Sequence, residues 1–214
     1  IRDSYTAEHY DVRLEQKDWS TADFDDSKWN GVGYRGAPSQ NVVSQQVQPI
    51  RIVETIPANT WKKINDSTYI FDFARNMSGV TRIKVSGEEG TVVKLKHGER
   101  LYDNGRVNTS NIDVYHRPVD DSDPFQTDIL ILSGKGEDEF MARFNYKGFR
   151  YVEVTSSKPI ELQQNSLTAY FVHSDVPQKG EISTSNPLVN RLWWATNNAY
   201  LSNLMGYPTC LLYT

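Results

Sequence analysis

The sequence contains few residues whose type and spacing suit chemistry, and the clearest are Asp103 and Asn104, which directly precede Gly105. An Asp-Asn-Gly tripeptide is typical of a tight turn, and here it would place two side-chain oxygens at one tip. His97 and His173 have no histidine, cysteine or paired carboxylate at the spacing of a zinc site. We therefore expect each histidine to be a hydrogen-bonded residue of the surface or the core.

A second acidic group lies near the start of the chain, at Asp23, Asp25 and Asp26. It lacks the alternating oxygens, the central glycine and the closing glutamate of an EF-hand calcium loop. A solvated turn is therefore the better interpretation of this group.

Charge and hydropathy exclude two classes of partner. The 214 residues carry a formal net charge of −4 and no long basic run, which argues against a nucleic acid partner. No apolar run approaches the ~20 residues of a membrane-spanning helix. Cys210 is the only cysteine, so no disulfide can form within the chain.

The elements that would position these residues are mainly strands. Tyr69–Phe73 is apolar and aromatic, which predicts a strand buried on both faces. Thr81–Val85 and Thr91–Lys96 alternate apolar and polar residues and predict half-buried strands. Because Ser86–Gly90 is a short turn between them, we expect these two strands to pair as an antiparallel hairpin.

Other segments extend this pattern. Phe140–Val154 is predicted to form paired strands across a bend at Lys147–Gly148. Gly36–Pro49 is polar and glutamine-rich and indicates a linker, with a domain seam near residues 44–49. Single strands and a surface loop are predicted at the following positions: strands at Tyr10–Leu14, Ile50–Val53, Thr127–Leu132 and Leu167–Val172, and an acidic loop at Pro118–Pro124. The expected fold is all-β, an antiparallel jelly-roll-like β-sandwich.

A helix is predicted near the C-terminus. Asn186 is a typical N-cap, and Pro187 suits the first helical position. Apolar residues then recur at helical spacing as far as Leu201–Met205, and Gly206 stops the pattern. The wide apolar stripe must be covered by the sandwich, by further helices or by a second copy of the chain, so a homo-oligomer through this helix is one expectation.

Five motifs, in order, resemble those of bacterial α-L-rhamnosidases, glycoside hydrolase family 78. Each motif is weak alone, but their order over residues 69–209 is specific. The matching segments are Phe71–Gly79 (FDFARNMSG), His97–Leu101 (HGERL), Phe144–Val152 (FNYKGFRYV), Val172–Gly180 (VHSDVPQKG) and Ser185–Asn190 (SNPLVN). Tyr5–Trp29 also resembles the end of that family's N-terminal β domain.

The resemblance implies a domain plan. Residues 1–45 would end an N-terminal β domain, residues 46–180 would form the central sandwich, and residues 181–214 would hold a linker and the first helix of a catalytic (α/α)6 barrel. In the family that barrel supplies the catalytic carboxylates, and here Cys210–Thr214 departs from the family's pattern after Thr209. We therefore expect a sequence truncated before the barrel, by a frame shift or an early stop, with no catalytic residue and no glycosidase activity on its own.

The resemblance also implies candidate binding residues. In some relatives the sandwich binds terminal L-rhamnose through calcium, which takes six to eight oxygen ligands. Asp103 and Asn104 are the pair that would carry over as calcium and sugar ligands on a rhamnose-containing glycan. An ordinary Asx turn before Gly105 is the simpler interpretation of the same residues.

Six further motif residues are expected to be structural. They would hold backbone within the sheet or at the seam with the next domain, and they are Asp72, Asn76, Gly79, Glu99, Gly148 and Arg150. Two hypotheses remain open: a module that binds sugar, or a purely structural domain that packs against the barrel and shapes its active-site rim. By resemblance, the protein is expected to be periplasmic or extracellular.

Overall fold

A computed structural model describes residues 8–112 and 124–209 of the chain. Within these ranges it contains thirteen strands, two 3₁₀ turns (Val12–Leu14 and Gln164–Ser166) and the helix α1 (Pro187–Ser202). The strands are β1 His9–Asp11, β2 Ile50–Pro57, β3 Thr60–Asn65, β4 Thr68–Ser86, β5 Val92–Gly98, β6 Arg100–Leu101, β7 Val107–Asn108, β8 Thr127–Ile131, β9 Glu137–Met141, β10 Lys147–Ser156, β11 Leu167–Ser174, β12 Leu204–Met205 and β13 Tyr207–Pro208. The predicted acidic loop, apart from Pro124, and the tail at residues 210–214 lie outside the described residues.

Nine strands form one sheet around the long strand β4. The path through the sheet is β1-β8-β5-β10-β4-β11-β2, and β3 and β9 also pair with β4. The β1–β8 pair is parallel, and the other pairs in this sheet are antiparallel. The strand β4 therefore connects two halves of the sheet, with β3 and β10 along its first half and β11 and β9 along its second.

The sheet curls, so both halves of β4 contribute to a single core. Tyr69 and Ile83, one from each half, are fully buried in the same hydrophobic cluster. The Thr81 hydroxyl lies 2.9 Å from Nε2 of His97, although this part of β4 does not pair with β5. The prediction of an all-β fold with one C-terminal helix is confirmed, as is the buried strand at Tyr69–Phe73.

The predicted hairpin between Thr81–Val85 and Thr91–Lys96 is wrong. The second half of β4 pairs with β9 and β11, whereas β5 pairs with β8 and β10. Residues of both segments contribute to the core. The alternation of apolar and polar residues indicates which side chains face the core, but it does not indicate which strand is the neighbour. Gly87 follows β4 where a Cβ atom would come within 2.7 Å of Leu132, so the connection is packed tightly against β8.

Two other boundaries differ from prediction. The bend expected at Lys147–Gly148 lies at residues 142–146, and β9 pairs with β4 instead of β10. Lys147 is already the first residue of β10, and its ammonium is buried against Asp128. The strand predicted at Tyr10–Leu14 ends at Asp11, because the Asp11 carboxylate accepts a hydrogen bond from the Arg13 backbone N–H and begins a 3₁₀ turn.

The helix begins as predicted, since Oδ1 of Asn186 caps the Leu188 backbone N–H at 2.9 Å. It ends earlier than predicted, at Ser202, because Leu204–Met205 turns back at Gly206 and pairs with β13. No residue of α1 is buried, and its large apolar side chains include Leu188, 61% exposed, and Leu192, 58% exposed. Within the described residues, no helix has the length and apolar character needed to cross a membrane.

Gly79 and Gly148 offer a matched test of this packing. A Cβ atom on Gly79 would lie 2.0 Å from the Tyr170 carbonyl oxygen, whereas a Cβ atom on Gly148 meets nothing within 4 Å. We expect Gly79→Ala to lower the free energy of unfolding by about 2 kcal/mol or more, because backbone must move apart. Gly148→Ala is expected to change it by less than about 1 kcal/mol.

Urea unfolding followed by circular dichroism measures both variants. Equal stability of the two would contradict the close approach of β4 and β11 at Gly79.

Candidate functional site

The family-like motifs meet at a bulge in the middle of β4. Met77 pairs with Phe149 of β10 and Asp72 pairs with Tyr151, so four residues of β4 lie opposite the single residue Arg150. Arg150 donates two hydrogen bonds to the Asp72 carboxylate, from Nε to Oδ1 at 2.8 Å and from Nη2 to Oδ2 at 2.9 Å. This two-point ion pair fixes the width of the bulge, since planar guanidinium and carboxylate groups match in one orientation.

The Asp72 carboxylate also shapes the backbone of the bulge. Its Oδ1 accepts a hydrogen bond of 2.7 Å from the Ala74 N–H, and Ala74 has the left-handed backbone angle φ of 64°. A non-glycine residue adopts this conformation at a cost, so the hydrogen bond offsets local strain. Partial burial would raise the pKa of Asp72, but the Arg150 guanidinium and the Ala74 N–H hold that pKa below its ordinary value.

The bulge joins the sheet to α1. The Asn198 side chain on α1 donates a hydrogen bond of 2.8 Å to the Asn76 backbone carbonyl. Beyond the helix, the Gly206 N–H donates to the Ser174 hydroxyl of β11 at 2.7 Å. Asn76 therefore lies at the seam between the β part and the helix, within the bulge that Asp72 and Arg150 hold.

Asp103 and Asn104 lie on an exposed turn between β6 and β7. Oδ1 of Asn104 accepts a hydrogen bond from the Arg106 N–H at 2.9 Å, and Gly105 has a positive φ of 81°. This is the geometry of an Asx turn. Within residues 8–112 and 124–209, no three His, Cys, Asp or Glu side chains group as metal ligands. Calcium binding by Asp103 and Asn104 stays a prediction.

The base of this turn is fixed by Glu153 of β10. Arg106 donates to both Glu153 oxygens, at 2.8 and 2.6 Å, and the Val107 N–H donates to the same carboxylate at 2.9 Å. Burial would raise the pKa of Glu153, but these donors hold it below its ordinary value. Glu99, another motif residue, lies half-buried in the connection between β5 and β6. The motif at His97–Leu101 is thus followed by a turn that Glu153 anchors to β10.

One cluster of buried charged groups was not predicted from the sequence. Nζ of Lys147 lies 2.7 Å from Oδ1 of Asp128, and their side chains are 4% and 3% exposed. Lys147 follows a run of polar and aromatic residues, which is typical of a surface turn, and no short-range pattern links it to Asp128 or to Glu8. Burial of this lysine and this aspartate requires that they pair, because an unpaired charge in the core lowers the free energy of unfolding.

His97 lies fully buried beside this cluster. Its ring nitrogens lie 2.9 Å from the Thr81 hydroxyl and 3.2 Å from the Gln126 carbonyl. Burial, together with the nearby Lys147 ammonium, holds the pKa of His97 well below its ordinary value. The imidazole is therefore neutral in the folded protein. His173 is also buried, with Nδ1 2.7 Å from the Ser174 carbonyl.

Two family models match the chain. The model of the bacterial alpha-L-rhamnosidase concanavalin-like domain matches residues 62–173, and that of the alpha-L-rhamnosidase N-terminal domain matches residues 1–54. The bulge, the Asx turn and the buried lysine all lie within residues 62–173.

Curated relatives agree with these matches. The alpha-L-rhamnosidase of Streptomyces avermitilis is 33% identical over 210 residues, which make up 97% of this chain and 19% of that protein. An alpha-L-rhamnosidase of an Alteromonas species is 29% identical over 207 residues, 96% of this chain and 21% of that protein. The chain thus spans about a fifth of the length of the curated relatives it matches.

Solved structures share the fold. The alpha-L-rhamnosidase from Dictyoglumus thermophilum matches with a TM-score of 0.86 at 34% identity, covering 96% of this chain and 22% of that one. The Streptomyces avermitilis enzyme, solved in complex with L-rhamnose, matches with a TM-score of 0.82 at 33% identity, covering 97% of this chain and 19% of that one.

The ion pair at the bulge gives the first prediction for this site. Asp72→Asn keeps the shape of the side chain but removes its charge, and we expect the free energy of unfolding to fall by about 1–2 kcal/mol. The control is Glu88→Gln, which removes the exposed ion pair with Lys158 and is expected to cost less than about 0.5 kcal/mol.

A double-mutant cycle measures the coupling between Asp72 and Arg150. It compares the free energies of unfolding of Asp72→Asn, Arg150→Gln and the double variant, each from chemical denaturation. Strict additivity of the two substitutions would contradict the assigned pair.

His97 gives a prediction about pH. The unfolded chain takes up a proton on this histidine below pH ~6.5, whereas the folded protein keeps it neutral, so the free energy of unfolding falls as the pH drops below ~6.5. Between pH 7.5 and 5.0 we expect this residue to contribute a loss of about 1–2 kcal/mol.

Urea unfolding at the two pH values, in the natural chain and in His97→Gln, measures that contribution as a difference in pH dependence. The same pH dependence in both proteins would refute the neutral assignment.

Proposed function

We propose, from the premise that this chain belongs to the bacterial α-L-rhamnosidase family, that its β part is a non-catalytic module that anchors the helix α1. The whole protein, of which such a module would form about a fifth, is proposed to hydrolyse α-L-rhamnosides. The observation that carries the proposal is the bulge of β4. Its motif residues Asp72 and Arg150 form an internal ion pair, and Asn76 accepts a hydrogen bond from α1.

Charge pairing supports a non-catalytic role. Inverting glycoside hydrolysis needs a carboxylic acid and a carboxylate base about 6.5–9.5 Å apart, with room for a sugar and a water between them. Three carboxylates of the sheet are each bound to a cation: Asp72 to Arg150, Asp128 to Lys147 and Glu153 to Arg106. A carboxylate held by a guanidinium, with a lowered pKa, is a poor proton donor near neutral pH.

The exposed face of α1 supports the anchoring role. Leu188, Leu192 and Trp194 are each more than half exposed, although they belong to one helix fixed to the sheet. Relatives of this chain are about five times as long. We propose that this face packs against helices of the remaining part of the protein, and that the β part shapes the rim of the active site there.

A second candidate function is calcium-dependent binding of L-rhamnose at Asp103 and Asn104. Both side chains lie at an exposed tip whose base is held by Arg106 and Glu153, so a ligand would meet a fixed turn. Export to the periplasm or the medium would accompany either function and stays a prediction, as does association of two chains through α1.

Activity of the purified 214-residue chain on an aryl α-L-rhamnoside tests the main proposal. We expect no release of nitrophenol above the uncatalysed rate, because Asp72, Asp128 and Glu153 are each bound to a cation and are poor proton donors. A full-length relative, such as the Streptomyces avermitilis enzyme, serves as the positive control. Turnover that survives repurification and follows the chain in gel filtration would overturn the non-catalytic assignment.

Calorimetry distinguishes the second candidate. We expect no binding heat with millimolar L-rhamnose, with calcium or with a chelator. Heat that needs calcium and disappears in Asp103→Ala, but persists in Asp23→Asn, would establish the sugar-binding function instead.

A further inference from the structure

The first described residues of the chain lie in the central sheet. The strand β1 pairs in parallel with β8, with His9 beside Ile129 and Asp11 beside Ile131. The Ile129 N–H donates a hydrogen bond of 3.0 Å to the Glu8 carbonyl. Segments matched by two different family models, residues 1–54 and residues 62–173, therefore share one sheet.

Glu8 is buried where β1 enters this sheet, with 5% of its surface exposed. Its carboxylate accepts hydrogen bonds from the backbone N–H groups of Arg143 and Phe144, at 2.8 and 3.0 Å. Its own N–H donates to Oδ1 of Asp128 at 3.1 Å. One residue thus pairs with two part-buried backbone donors and with one buried acceptor on distant parts of the chain.

The same aspartate oxygen accepts a hydrogen bond from the buried Lys147 ammonium. Lys147 also donates to Oδ1 of Asn145 at 2.8 Å, so the ammonium links β8 to the bend that Glu8 holds. If residue 8 left the sheet, the N–H groups at 143 and 144 would lose their acceptor, and Asp128 would lose a donor. The loss of these hydrogen bonds, one of them to a buried carboxylate, favours the bound state.

Apolar contacts continue along the same segment. The Tyr10 ring lies 5.6 Å from the Phe140 ring, and Tyr10 and Val12 both pack against the core. Between this segment and β2, residues 15–49 contain no helix or strand and are almost entirely exposed. The segment is therefore attached to the rest of the chain by a long surface connection.

We propose that residues 8–14 form a strap, and that the edge of β8 opposite β5, together with the N–H groups of Arg143 and Phe144, is a binding surface for it. The partner that this surface fits is an extended segment of this chain that begins with a glutamate. The strap makes the regions matched by the two family models one folding unit, with no independent boundary at residue 45. This inference does not depend on the proposed function.

A nicked chain tests the strap. A recognition sequence for a site-specific protease is inserted between Val43 and Ser44, in the exposed connection, and the folded 214-residue chain is then cut. We expect the fragment of residues 1–43 to remain bound to residues 44–214 in gel filtration at micromolar concentration. Full separation of the two fragments, with the larger one still folded, would overturn the proposal.

Substitutions in the nicked chain identify the contact. Glu8→Ala is expected to raise the dissociation constant of the small fragment about 30-fold or more, because two backbone N–H groups lose the charged acceptor that they share. Glu8→Gln keeps one carbonyl acceptor and should lie between Glu8→Ala and the natural chain. Asp23→Asn, an exposed acidic residue on the same fragment, is the matched control. Equal retention of the fragment in Glu8→Ala and Asp23→Asn would refute the role of Glu8.

A measurement on the uncut chain covers the case in which the fragments do not survive cutting. In Glu8→Ala we expect hydrogen exchange of the Ile129 N–H to accelerate at least tenfold relative to that of Val154, which lies in a central strand. Unchanged protection of Ile129 would contradict a strap held by Glu8.

Discussion

The two-point ion pair between Asp72 and Arg150 lets one strand belong to both halves of the curled sheet. The bulge bends β4, and β11 and β9 pair only with the part of this nineteen-residue strand that follows the bulge. The pair holds the four bulged residues against a single residue of β10, and the Ala74 backbone takes an unfavourable conformation there. Gly79 follows directly, where β11 approaches too closely for any side chain. The bulge therefore contains or adjoins the strained Ala74 backbone, the close approach of β11 at Gly79 and the hydrogen bond from α1.

Periodicity in the sequence was sufficient for much of the fold but not for its connections. The buried strand at Tyr69–Phe73 and the N-cap at Asn186 follow from local residue types, and the structure confirms both. Strand neighbours were missed, since alternation reports only which face is buried. The ion pairs were missed for a related reason. Asp72 and Arg150 are 78 residues apart, and Lys147 resembles an exposed residue of a turn until the fold places Asp128 beside it.

The candidate site shows how motif residues can matter without performing chemistry. The family-like motifs contain Asp72, Asn76 and Arg150, and in the structure Asp72 pairs with Arg150 while Asn76 accepts a hydrogen bond from α1. The turn at Asp103 and Asn104 is well anchored, yet the amide oxygen of Asn104 already accepts a hydrogen bond from the Arg106 backbone N–H. For a β module that accompanies a helical partner, precise placement of a helix is itself a function, because geometry at a rim constrains what enters an active site.

The parallel pairing of β1 with β8 bears on how the protein is made. During translation β1 cannot make these contacts until its partners have been synthesised, since Glu8 contacts residues more than 130 positions later. At ~5–20 residues per second, that interval is about 7–28 seconds. During it the N-terminal segment has an unsatisfied polar edge and an aromatic residue in water. During translation, residues 8–14 are therefore exposed to chaperones and proteases until the residues around 143 and 144 have been made.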